Sequence, residues 1–136
     1  MAIVNKSKEY RDLAQRVMKG HEELRWIRQA KVRIGYCASD SDKKQVDKLV
    51  FADCRKVPDL YKAFIPYDFI ICVYEPNAML LTDEQKEILM YHELLHCGIK
   101  PSGELYVVPH DVEEFDIIID KYGLHWAAGE RDLYGT

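Results

Sequence analysis

The chain lacks any long apolar run: its longest, Phe69 to Tyr74, is six residues, far below the roughly 20 that a membrane-spanning helix requires. It also lacks a cysteine framework. Cys37, Cys54, Cys72 and Cys97 are widely spaced and form no C-x-x-C pair, so they read as reduced thiols packed as small hydrophobes. No block of like charge occurs, and 19 Lys and Arg against 23 Asp and Glu leave a formal net charge of −4. That balance does not indicate a nucleic-acid partner, although it leaves room for a local patch. The opening MAIVNKSKEYRDL turns charged within six residues and offers no apolar core of a secretory signal. These absences lead us to expect a cytoplasmic protein with no membrane partner.

What is present suits one domain. At 136 residues, 48% of them hydrophobic, the chain can bury roughly 68% of its unfolded surface without disulfide staples. No repeat, low-complexity tract or long linker divides it, so a single domain over residues 1–136 is expected.

From Ser7 to about Lys19, Tyr10, Leu13, Ala14 and Val17 recur at the spacing of a half-buried helix, with Ser7 as its cap. Gly20 interrupts the pattern, and His21 to Ile27 reads as a second short helix with Leu24 and Ile27 on one face. Residues 31–37, KVRIGYC, alternate in the manner of a strand with one wet face, and ASDSDKKQ after them reads as a loop. Pro58 and Pro66 argue against one continuous regular element over residues 57–67. The run from Asp68 to Glu75, DFIICVYE, is the strongest strand signal and predicts a buried central strand, with Phe69, Ile71 and Val73 filling one face.

Thr82 then begins a capping box with Gln85, and Asp83 and Glu84 occupy the first turn. A helix is expected from there to Cys97, stopped by Gly98. A short strand at Leu105 to Val108 and a second helix from Val112 to Tyr122, ended by Gly123, complete the pattern. Phe115, Ile118 and Ile119 would be that helix's core positions.

Inside the capped helix lies His92-Glu93-Leu94-Leu95-His96, an H-E-x-x-H motif. For this composition a random match arises in roughly 1% of chains, and few core helices have another use for such a pair. The two histidines stand one helical turn apart on one face, where both imidazoles can close on a single metal ion. Glu93 projects beside them, placed to accept a proton from a zinc-activated water and return it to a leaving amine. Ile88 and Leu95 supply the helix with a core face.

A catalytic zinc typically takes three protein ligands and leaves one position open. His110, fourteen residues after His96 and beyond a turn and a short strand, is the best third ligand. Glu113 or Glu114 would come next, giving a His₂Glu set. Asp111, Glu113 and Glu114 are candidates to orient a ligand imidazole, although acids also favour a helix start for its own sake. Tyr91 or Tyr106 is a candidate oxyanion donor, and the pair His125-Trp126 reads as packing.

At these residues a resemblance becomes specific. The tract LTDEQKEILMYHELLHCGI followed by VVPHDVEEFDIIIDKYG, with the upstream YDFIICVYEPNAMLLT, resembles the phage metallopeptidase family from Tyr67 to Gly123. More distantly, the order of HExxH, third His and acidic-Phe pair is similar to SprT-like proteases, with Glu114-Phe115 one residue further from His110 than in that group. The family resemblance implies a minimal zincin-like fold, Zn²⁺ held by His92, His96 and His110, Glu93 as base, a peptide or protein substrate, and the cytoplasm of a bacterial or phage-infected cell.

The expectation is therefore a single α+β domain with a small mixed or antiparallel sheet, an HExxH helix and a C-terminal helix, acting as a zinc metallopeptidase. Two other functions fit the same residues: a zinc-stabilised interaction module without catalysis, for which Cys97 or a carboxylate would be a candidate fourth ligand, and a metal-dependent hydrolase of a non-peptide amide or ester. Glu93 argues against the first, because a structural site closes with four protein ligands and has no need of a base.

Overall fold

In the computed structural model, which describes residues 2–109, Ser7 caps the first helix by accepting from Tyr10 N–H at 3.1 Å. This helix, α1 (Lys8–Gly20), buries Tyr10, Leu13, Ala14 and Val17, the four residues that share its apolar stripe. A 3₁₀ turn (Glu22–Leu24) and the short α2 (Arg25–Gln29) follow, burying Leu24 and Ile27.

The next strand, β2 (Ile34–Ser39), begins three residues later than the alternation in KVRIGYC predicts. The cause is local. Lys31 adopts the left-handed conformation (φ 56), its N–H bonds to Arg28 O at 3.0 Å, and Val32 N–H reaches Ile27 O at 2.9 Å. That is the double carbonyl closure of a Schellman cap, so residues 31 and 32 finish a helix rather than start a strand.

Four strands form the main sheet: β1 (Val4–Lys6), β2, β5 (Ala52–Lys56) and β6 (Phe69–Tyr74), in the order β1-β2-β6-β5. β1 pairs antiparallel with β2, β2 parallel with β6, and β6 antiparallel with β5. The sheet is thus mixed, and β2 is an interior strand, paired on both edges, with no exposed residue. The stretch expected as a loop, residues 38–45, begins with the last two residues of β2 and ends with β3 (Lys44–Gln45), which pairs with β4 (Lys48–Leu49) in a small hairpin between β2 and β5. Asn77, in the one-turn α3 (Glu75–Ala78), ties this region down by donating to Lys43 O at 2.8 Å and Val50 O at 2.7 Å.

Along β6, Phe69, Ile71 and Val73 are all but fully buried, each worth about 1.5–3 kcal/mol in area removed from water. Tyr36, Ala52, Ile71 and Val73 face the apolar sides of α1 and of α4 (Asp83–Leu95), forming one core between a helical layer and the sheet. The architecture is α+β. A final hairpin, β7 (Cys97–Ile99) and β8 (Leu105–Val107), folds back against the end of α4. Among the described residues no helix is long and apolar enough to cross a membrane. The expected helix at Val112 to Tyr122, with Phe115, Ile118, Ile119 and Gly123, lies outside the described residues.

Candidate metal centre

α4 starts where the sequence says it should. Thr82 Oγ1 accepts from Gln85 N–H at 3.1 Å while Gln85 Oε1 accepts from Thr82 N–H at 2.9 Å, so two of the helix's orphan donors are satisfied. Its end comes two residues before the predicted Cys97, at Leu95, with His96 as the cap residue. His96 keeps helical backbone angles, φ −71 and ψ −21, so the one-turn stacking of His92 and His96 survives.

Gly98 has a different task from the helix stop expected of it. It lies inside β7 with Tyr106 opposite, and a Cβ built there would stand 2.5 Å from Val108 Cγ2 and 2.9 Å from Tyr106 Cε1. Only a residue without a side chain lets β8 approach this closely. The approach matters because of Val108, whose N–H donates to His96 O at 2.7 Å and whose carbonyl lies 2.7 Å from His96 Nδ1.

A carbonyl can only accept, so His96 Nδ1 carries the proton and Nε2 presents a lone pair. That Nε2 is 3.3 Å from Nε2 of His92, with the rings nearly perpendicular at 72°. Two imidazole nitrogens bound to one tetrahedral zinc at 2.0–2.1 Å lie roughly 3.3 Å apart. The separation of the pair therefore matches that of two imidazole nitrogens on a shared metal. Both rings are buried, His92 2% and His96 7% exposed. Glu93, fully buried, holds Oε2 3.9 Å from His92 Nε2.

Among the described residues no group of three His, Cys, Asp or Glu is gathered about one point. His110, the expected third ligand, lies outside the described residues, as do its substitutes Glu113 and Glu114 and also Asp111, His125 and Trp126. Tyr91 is buried in α4 with its ring stacked on His21, centroids 3.8 Å apart, and its hydroxyl donating to the Glu23 carboxylate. With its hydroxyl engaged by Glu23, Tyr91 is a poor oxyanion donor. Of the two tyrosines, Tyr106 on β8 is the better candidate, its ring lying over Gly98.

All four cysteines are free thiols, as expected. Cys97 is buried with its Sγ 3.7 Å from Cys54 Sγ, and that contact together with burial pushes the Cys54 thiol far above its ordinary pKa. Sequence reasoning missed the part played by Val108, because its contribution comes from its main chain, which no residue type advertises. Gly98 was the available signal: a glycine two residues past a metal-ligand candidate that proves to be needed for close packing.

A family model described as "Putative phage metallopeptidase" matches residues 2–134. No curated protein and no solved structure matches the chain.

Proposed function

The chain belongs to the phage metallopeptidase family, and from that premise we propose that it hydrolyses peptide bonds using a divalent metal, zinc in the first instance, held by His92, His96 and His110, with Glu93 as the general base. The observation that carries this reading is the 3.3 Å between the two Nε2 atoms, the edge of a tetrahedral zinc site.

When bound, the metal supplies Lewis acidity toward a carbonyl oxygen and a water whose pKa falls to about 7. The chain's own residues do the rest. The Val108 carbonyl holds the His96 ring in the tautomer that leaves Nε2 basic, a role outer partners commonly play for metal-ligating histidines. Glu93, next in sequence to His92 and shielded from bulk water, takes a proton from the attacking water and returns it to the departing amine. His110 follows Val108 by two residues, a span of at most about 7 Å of chain, so it begins from a point already tethered to the His96 ring. Cys97 is a poor fourth ligand, since its thiol is turned to Cys54, and this weighs against a closed, purely structural site.

The test is metal content by mass spectrometry for untagged wild type, His110→Ala and Glu93→Gln, with cleavage of an unfolded protein substrate followed in parallel. The expected result is one zinc per wild-type chain, a site greatly weakened by His110→Ala, and Glu93→Gln retaining metal while losing on the order of 10²–10⁴ in rate. A wild type that takes up no stoichiometric metal after reconstitution, or a Glu93→Gln enzyme of full activity, overturns the reading.

A further inference from the structure

Over the face of the main sheet opposite its core, and around the β1 edge to Lys8 and Arg11 in the first turn of α1, runs a groove that the metal chemistry does not use. Cys37 on β2 and Ile70, Cys72 and Tyr74 on β6 point to this side, alternating with the core residues Tyr36, Ile71 and Val73. Two adjoining cavities of about 540 and 700 Å³ lie there and share Val4, Cys37, Ile65 and Ile70. They run from Arg55 on β5 to Lys6 on β1, across all four strands. At about 4.8 Å per strand spacing that is roughly 14 Å, which an extended chain covers in about four or five residues.

The charge along the groove opposes the charge of the protein. Among the described residues, Lys6, Lys8, Arg11, Lys43, Arg55 and Lys56 line the two cavities and no carboxylate does, in a chain of net charge −4. Asp53 beneath the floor answers two of these cations with a single oxygen, at 3.0 Å from Lys43 Nζ and 3.2 Å from Arg55 Nη2, and Asp12 lies 3.6 Å from Arg11 Nε. Among the described residues a surplus of positive charge remains along the groove. Apolar side chains stand beside it without burial: Phe64 is 87% exposed and Tyr61 52%.

We propose that this groove docks an extended, acidic polypeptide segment of a partner protein, whose carboxylates meet the cations while its apolar side chains cover Val4, Ile65 and Phe64. The floor of aliphatic and thiol side chains suits a chain that alternates acidic with apolar residues better than it suits an unbroken row of phosphates. Because the cations are exposed, the attraction is screened, so binding should weaken as salt rises. Neither cavity is lined by His92, Glu93 or His96, so docking should be indifferent to EDTA.

The test is fluorescence anisotropy with three labelled probes of equal length: a peptide repeating Glu-Glu-Leu, the same peptide with Gln for Glu, and oligothymidylate. Each is titrated with the full chain and with Lys8→Glu/Arg11→Glu, whose substitutions fall at the start of α1, where acids favour the helix. The acidic peptide should bind, at least about tenfold tighter than its Gln counterpart, and lose about tenfold in the charge-reversed variant. Far-UV circular dichroism checks that variant's fold, and if it is unfolded the milder Lys8→Gln/Arg11→Gln, expected to bind a few-fold more weakly than wild type, decides instead. Equal binding of both peptides, no binding of either, or binding unaltered in the folded variants overturns the proposal. So does oligothymidylate binding more tightly than the acidic peptide and losing affinity in the same variants.

Discussion

His96 and Val108 hold each other twice: Val108 N–H donates to the His96 carbonyl at 2.7 Å, and the His96 ring donates from Nδ1 to the Val108 carbonyl at 2.7 Å. One bond fixes the backbone just past β8 to the end of α4, and the other fixes the tautomer and direction of the imidazole. The ligand histidine is therefore oriented by a strand that follows it in the chain, and the quality of the proposed metal site depends on how closely that strand can pack.

That dependence predicts a large effect from one methyl group. Gly98→Ala places a Cβ 2.5 Å from Val108 Cγ2 and 2.9 Å from the Tyr106 ring, so both side chains must shift, and a shift of Val108 draws its carbonyl away from the His96 ring. Loss of an outer partner of a ligating histidine typically costs 10- to 100-fold in metal affinity. Zinc titration against a chromophoric chelator should show about that weakening; an unchanged dissociation constant would mean that the Val108 contact does not support the site.

A second expectation concerns acid. Burial of Asp53 pushes its carboxyl pKa up, but hydrogen bonds donated by Tyr74 at 2.6 Å, Lys43 at 3.0 Å and Arg55 at 3.2 Å outweigh it and hold the group below its ordinary value. A depressed folded pKa means that the ionised form stabilises the fold. The contribution is complete above the unfolded value near 3.9 and is lost as pH falls through the lower folded value. Urea unfolding between about pH 6 and pH 3 should therefore show wild type losing stability below about pH 4, with Asp53→Asn less stable at neutral pH and flatter in acid. Parallel curves for the two proteins would exclude Asp53 as the linked group.

The β3–β4 hairpin offers a stabilising change. Val46 and Asp47 at its tip both have positive φ, 49 and 64, the backbone of a type I′ turn, for which a β-branched residue is poorly suited. Val46 is 89% exposed, so little burial is lost on replacing it. Val46→Asn with Asp47→Gly should add about 1 kcal/mol, visible as a higher melting temperature by calorimetry, and a lower one would count against this turn geometry.

Legibility followed signal length and residue type. α1 and α4 were readable because each repeats an apolar stripe over several turns and opens with a capping side chain, Ser7 or Thr82. β6 was readable from six apolar residues in a row. β5 was not, because its core-facing members, Ala52 and Cys54, are small and stand beside Asp53 and Arg55. The three-residue β1 and β7 were not, because Val-Asn-Lys and Cys-Gly-Ile carry no strand-forming run, whereas the equally short β8 has Leu-Tyr-Val. Residues 31–33 alternated as a strand does, yet the helix before them needed Lys31 and Val32 for its cap.

By itself, then, the sequence determined that one capped helix carries His92, Glu93 and His96 on neighbouring positions and that a central apolar strand supports it, since helical and strand spacing are local properties of the chain. Only the tertiary structure decided the parallel pairing of β2 with β6, the convergence of Lys43, Arg55 and Tyr74 on Asp53, and the 3.3 Å between the two histidine nitrogens. These depend on backbone hydrogen bonds and on contacts between residues far apart in the chain. A carbonyl such as that of Val108 looks the same in every residue until the fold brings it to a ring nitrogen.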